Sequence, residues 1–417
     1  MDRRRYLRLA AASSVALAGC SATESGGEPD SSSPSKTTSA EPDTVASNGT
    51  VPDSADDGSD RGVYVQPFAE SMYVVGRGVM GASGGTTGGN GTNGTDTIAS
   101  TSRTNTTTSG TTATETSDKS DAMPIAGDYR FALMYAAPHV FWTINGVETT
   151  RQPIEQGDSL HLMSVVWDPK SGTVLPDTGL SVEITRDGDL VSEEVIYPML
   201  SQRMGFHYGA NFPLPGDGSY TARLSVGGTG VRRTGAFAGR FAEPASVTIE
   251  FPFTETTREQ VVSPKAPRAG EPGAIAPMAM GTVPSAVAPT KSELGGAFVG
   301  RATSGDAVFL VTRLSPDESP LDDGNPYLAV SARTPYNSLV LPAMALSATL
   351  ERNGSTVFDG PLKRTLDSDL GYHYGAAVDS ARPDDRLTIS VTTPPQVARH
   401  EGYENAFLDM PAMRLTL

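Results

Sequence analysis

Apolar and polar residues alternate through much of this chain. In SYTARLSV, Tyr220, Ala222, Leu224 and Val226 fall on one face of an extended segment, while Ser219, Thr221, Arg223 and Ser225 fall on the other. Successive side chains of a strand point to opposite faces, so this pattern predicts a half-buried strand. The same alternation makes inward triplets of Leu180-Val182-Ile184, Val247-Ile249-Phe251, Leu346-Ala348-Leu350 and Leu387-Ile389-Val391. Asp187-Gly188, Asp217-Gly218 and Asn353-Gly354 separate these runs and are words that close antiparallel hairpins. No long amphipathic helix is evident beyond the N-terminus. The pattern predicts an all-β protein with two tandem Ig-like antiparallel β-sandwich domains.

Three stretches interrupt the alternation and set the expected boundaries. Residues 21–60 are Ser, Thr, Glu, Asp, Gly and Pro with little to bury, and read as a solvated tether. Residues 81–122 form a Gly/Ser/Thr-rich insert within a first sandwich spanning 61–253. Residues 254–293, rich in Pro and Ala, read as an extended linker to a second sandwich at 294–417. Asn48, Asn90, Asn93 and Asn105 each begin an Asn-x-Thr sequon in the low-complexity segments, as expected of exposed chain that glycosylation can reach.

The two sandwiches read as copies of one unit. Residues 161–210 lie over 327–376 at a constant offset of 166 without a gap, and 16 of 50 positions are identical. Val174-Leu175-Pro176 matches Val340-Leu341-Pro342, Arg186-x-Gly188 matches Arg352-x-Gly354, and GFHYGA matches GYHYGA. Register kept across strands, turns and that last word predicts tandem homologous domains.

The first 20 residues change the picture from a cytosolic chain to an exported one. Basic Arg3-Arg4-Arg5, an apolar run from Leu9 to Leu17 and small residues before Cys20 have the order of a secretory signal. The apolar run is too short to cross a bilayer. Twin arginines before Tyr6-Leu7 resemble a Tat signal, and Leu17-Ala18-Gly19-Cys20 resembles a lipobox in which Cys20 is lipidated. The expected location is the extracytoplasmic face of the cell membrane. Cys20 is the only cysteine, which excludes a thiol nucleophile, a disulfide framework and cysteine-ligated metal from the processed chain. The formal net charge is -16, with six lysines against 26 arginines. This acidic, lysine-poor composition resembles secreted proteins of halophiles and argues against nucleic-acid binding.

Five histidines are present, and two of them occupy the repeated Gly-x-His-Tyr-Gly word, as His207 and His373. His161 and Met163 are two apart in HLMSVV, so a strand projects both to one face. Met199 ends a predicted strand just before His207. Imidazole and thioether in one neighbourhood suit copper, iron or zinc, with thioether favouring copper(I). The rival reading makes Met163 and Met199 core filler and His207 a corner hydrogen-bonder. His139, in MYAAPHVFWTING, reads first as a strand-end histidine beside Trp142, with a further ligand as the other option; Met72 and Met134 read as core.

The run IYPMLSQRMGFHYGANFPLPGDGSYTARLSV resembles the metal-binding heart of the periplasmic iron-transport protein family, exported Ig-like sandwiches that bind copper or iron ions and assist iron-uptake permeases. GVYVQPFAESM and GSYTARLSVGGTGVRRTGAFAGRFAEPASVTIEF resemble that family's opening and closing strands. The resemblance covers most of 61–253 and, more faintly, 294–417. It implies His161, Met199 and His207 as ligands, with Met163 where the family carries glutamate, a departure toward copper. The late-loop histidine of the family has no counterpart at Arg232-Arg233. In the second copy Tyr327, Ala329 and Thr365 replace His161, Met163 and Met199, leaving His373 and, in PPQVARHEGYENAF, His400. The losses are complementary, so an internal pseudo-dimer imitating the family's homodimer would let His400 complete the first site; a homodimer of whole chains is the other expectation.

The expected function is that of an exported, membrane-anchored lipoprotein capturing an iron or copper ion for a membrane transport system, with affinity falling as histidine protonates. No catalytic motif is present: the chain has no Gly-x-Ser-x-Gly elbow, His-Glu-x-x-His helix or phosphate loop. The chain is therefore expected not to be an enzyme. The rival expectation is a structural or adhesive surface lipoprotein without a metal.

Overall fold

The computed structural model describes residues 62–80 and 123–417. The signal with Cys20, the tether, the sequons and the whole of the insert lie outside the described residues. What is described is all-β, built from antiparallel sheets packed face to face.

In the N-terminal half, one sheet runs in the order β2 (Gly78–Met80), β1 (Met72–Val74), β4 (Tyr129–Ala136), β7 (Asp158–Trp167), β11 (Gly205–Pro213), β10 (Tyr197–Ser201). A second sheet has the order β14 (Ala245–Phe253), β12 (Gly218–Val226), β8 (Ser181–Arg186), β9 (Asp189–Val195). Tyr220, Ala222, Leu224 and Val226 of β12 are buried, as are Leu180, Val182 and Ile184 along β8 and Val247, Ile249 and Phe251 on β14. Each such buried aliphatic or aromatic side chain contributes about 1.5–3 kcal/mol. Their pleat fixes which face of every strand is inward, and so fixes the register of the chemistry that follows.

The C-terminal half repeats the plan with β15 (Ala297–Ser304), β16 (Ala307–Leu314), β17 (Tyr327–Arg333), β20 (Gly371–Ala377), β19 (Ser355–Asp367), β18 (Ala345–Arg352), β21 (Arg386–Thr393) and β23 (Met413–Thr416). Here β19 serves both layers, pairing β18 through Leu362 and β20 from Lys363 onward. Its counterparts in the first half, β9 and β10, are separate strands broken at Ile196. The expected inward triplets are buried except at Val391, which is half-buried.

The 166-residue offset survives in three dimensions. Gly209 lies opposite Met163 and Met199 opposite His207; Gly375 lies opposite Ala329 and Thr365 opposite His373. The two halves also exchange short strands, which sequence periodicity did not show. β22 (Ala398–Arg399), from the end of the chain, pairs parallel to β10 and antiparallel to β5 (Phe141–Asn145), which leads into β6 (Glu148–Gln152). Reciprocally, β13 (Arg232–Thr234) pairs parallel to β19. The Pro/Ala-rich segment expected as a linker begins with α1 (Glu255–Gln260), capped by Thr254. Beyond α1 it is packed rather than free: Ala266, Met278, Met280, Val283, Ala286 and Ala288 are buried.

Candidate metal centre

The repeated Gly-x-His-Tyr-Gly word is a tight turn running into a central strand. Gly205 has φ 72°, a left-handed conformation that glycine adopts without steric cost. The turn brings the Gly205 carbonyl within 3.0 Å of Nδ1 of His207, which donates to it. That bond assigns the tautomer and leaves the Nε2 lone pair of His207 pointing inward, buried and without a hydrogen-bond partner.

Two further imidazoles are set in the same way. Nδ1 of His161, on β7, donates to Oδ1 of Asn211 at 2.8 Å, and the Asn211 amide in turn donates to the His139 carbonyl at 3.0 Å. Nδ1 of His139 lies 3.2 Å from the Ala137 carbonyl. In both rings Nε2 is buried and unpartnered. The rings of His139 and His161 lie 3.9 Å apart, centroid to centroid. Three side chains thus spend their N–H on fixed oxygens and keep a lone pair free, which is how metal-binding histidines are oriented.

Met199, fully buried on β10, belongs to a small apolar cluster with Phe141 and Ala398, apart from the main core. Its Sδ and Nε2 of His161 converge beside Gly209: a Cβ on that glycine would lie 3.0 Å from the sulfur and 2.7 Å from the nitrogen. Gly209 is glycine because the donors occupy the space a side chain would take. Met163, expected as a ligand, packs within the main apolar cluster. Its register partner on β11 is Gly209 itself.

His400 follows β22 directly and enters this group from the other half of the chain. Its ring centroid is 4.7 Å from that of His139, 5.4 Å from His207 and 6.0 Å from His161. Neither ring nitrogen has a hydrogen-bond partner. One ligand atom each from His139, His400 and Glu401 lie within 4.8 Å of one another. Glu401 and Glu70 border this side, 3.7 Å from Nδ1 of His400 and of His139 at 3.6 Å respectively.

Burial dominates the electrostatics. It pushes His139 down to about 4 and His207 to about 3, each helped by the neighbouring His400, and holds His161 well below the ordinary imidazole range. Burial therefore favours the neutral form of these rings, the form that can bind a metal. Glu70 is raised by burial and then by the Glu401 charge. Burial also opposes ionisation of Glu401, but His400, His139 and a hydrogen bond from Glu70 together outweigh it and lower that carboxyl to about 2.

The second copy supplies an internal comparison. Gly371 has φ 65°, and Nδ1 of His373 lies 3.0 Å from its carbonyl, reproducing the first turn. Nε2 of His373, however, is hydrogen-bonded to the Tyr327 hydroxyl at 3.0 Å. His373 and His400, considered together as one second or completing site, are thus separated: His400 joins the first cluster and His373 remains in its own sandwich.

His139 was read from sequence as packing and is instead in the cluster. A signal was available at Asn211, which orients His161 and holds the His139 carbonyl. The second copy has Ala377 there and Tyr327 in place of His161, so the two positions change together.

Residues 292–416 match a protein family described as a domain of unknown function, DUF7350. No curated protein matches the chain. Among solved structures, a copper-bound variant of FetP from uropathogenic Escherichia coli strain F11 is similar, with 22% identity, a TM-score of 0.24, and coverage of 30% of this chain and 90% of that one. The as-isolated FetP of the same strain, expressed in the periplasm, shows 19% identity and a TM-score of 0.24 over 32% of this chain and 92% of its own.

Proposed function

We propose that this chain is an exported, membrane-anchored lipoprotein that captures one copper or iron ion between its two sandwiches and presents it to a membrane transport system. The observation that carries the reading is the set of four buried imidazoles, His139, His161, His207 and His400, whose Nε2 atoms have no hydrogen-bond partner. An unsatisfied buried polar atom costs about 1–3 kcal/mol, so a cluster of them is a debt that packing alone does not repay. An ion bound to the lone pairs compensates it. His373, in the same turn with its Nε2 satisfied, shows that the fold is able to seal such a ring.

Neutral imidazoles with the Met199 thioether make a soft-to-borderline set that fits copper(I) or copper(II) better than a hard cation, while Glu401 adds one oxygen donor that iron accepts. The ion is read as cargo, since the site is a set of ligand side chains and the sequence carries no phosphate loop or catalytic motif. Lipidation at Cys20 would hold the carrier at the membrane where a permease takes the ion.

Metal-free full-length protein titrated with copper(I), copper(II) and iron(II) against competing chelators should take up one equivalent of at least one of them. His207→Ala should weaken that uptake by more than the roughly 10–100-fold that loss of an outer partner costs, with the circular dichroism unchanged. A chain that takes up none of the three would leave only a surface scaffold.

A further inference from the structure

The second sandwich has kept the frame of the site but not its donors. At the positions of His161, Met199 and Gly209 stand Tyr327, Thr365 and Gly375, in the same registers. The strand that runs beside them is β13, brought from the first half as β22 is brought from the second. Its Arg232 lies opposite Thr365, as Ala398 lies opposite Met199.

The Arg232 guanidinium fills the place. Nη2 donates to the Tyr327 hydroxyl at 2.6 Å, to Oγ1 of Thr365 at 2.8 Å and to the Gly375 carbonyl at 2.9 Å; Nε reaches Oγ1 of Thr365 at 3.0 Å. The guanidinium carbon also lies 5.5 Å from the centre of the Tyr327 ring. Tyr327 passes the contact on to Nε2 of His373. Gly375 has no side chain because a Cβ there would overlap the Tyr327 hydroxyl. β13 is fixed further by the Thr234 hydroxyl, which donates to Asp367 at 2.7 Å.

We infer that the second sandwich retains a cation pocket whose ligand is the guanidinium of Arg232, supplied by the first sandwich. This tethered cation fastens the two halves together and limits the chain to one metal ion. The acceptors are two neutral hydroxyls and a carbonyl, chemistry that suits a guanidinium and offers a transition metal a single imidazole already engaged. The limit to one ion rests on the metal reading proposed above; the fastening does not.

The test is chemical rescue in the full-length protein. Arg232→Ala should lower the melting temperature by about 5 °C, the scale expected for loss of a multiply bonded, half-buried side chain. Methylguanidinium or guanidinium at sub-denaturing concentration should restore much of it, where potassium chloride at equal ionic strength does not. The wild-type chain should gain nothing. Absence of specific rescue would overturn the pocket. Should Arg232→Ala not fold, Tyr327→Phe and Thr365→Val provide the same judgement: each should destabilise the wild type and have little added effect on Arg232→Lys, whereas full additivity overturns the pocket. In metal titration, a second equivalent lost on His373→Ala overturns the one-ion limit. If no metal binds at all, the metal reading fails and the rescue alone decides the fastening.

Discussion

Gly209 concentrates the logic of the site in one position. Its missing side chain is the space in which Nε2 of His161 and Sδ of Met199 meet. Gly209→Ala should leave the sandwich folded and lower metal affinity at least about 10-fold, measured by chelator competition. Affinity unchanged in that variant would mean that the two donors do not share an ion. Asn211 acts one step further out. Without it, the His161 ring loses the acceptor that fixes its tautomer, and the carbonyl of His139 loses its donor. His161, Met199 and His207 were candidates in the sequence through their places in strands and a turn, and the family resemblance is what implied them as a set. Met163 shares a face of β7 with His161 and packs in the main apolar cluster, whereas Met199 lies in the small cluster with Phe141 and Ala398.

Among elements, the long strands were legible and the short ones were not. Alternation over six to nine residues is what burial on one face imposes, so β8, β12 and β14 announce themselves. β13 and β22 have three and two residues. They are held by parallel pairing to a strand of the opposite half and carry no periodic signature. Yet β22 delivers His400. The complementary loss of histidines between the copies pointed to this exchange, because a site missing one imidazole lies in the same chain as an imidazole missing a site. His400→Ala should therefore reduce affinity even though His400 lies in the C-terminal half; an unchanged dissociation constant in that variant would exclude it from the coordination.

Two consequences belong to the whole molecule. Exchanged strands couple the halves, so the described sandwiches should unfold together, as one calorimetric transition whose van't Hoff and calorimetric enthalpies agree. Two resolved transitions would show that β13 and β22 detach without cost. Acid stability should depend on Asp168, which ends the well-buried run of β7. Burial alone would raise its carboxyl, but Arg240 at 2.7 Å, the Ser171 hydroxyl and two backbone amides outweigh it and lower it to about 2. A carboxyl whose folded value is depressed stabilises the fold above its unfolded value near 4. That contribution, about 2 kcal/mol, is lost as pH falls from about 4 toward 2. Asp168→Asn should remove it at neutral pH and flatten the acid limb of a denaturation series; an acid limb identical to wild type would assign acid unfolding elsewhere.

The order of residues by itself determined the all-β class, the doubled unit and the histidines and methionines that patterned strands offer as candidates, because hydrophobic period and repeat register are written locally. Only the tertiary structure decided which histidines meet, which methionine joins them and which copy is closed by an arginine. Those outcomes depend on side chains from strands more than a hundred residues apart, such as His161 and His400, being buried in one place. Burial of that kind is a property of the packed whole, where the cost of leaving a ring nitrogen unsatisfied first arises.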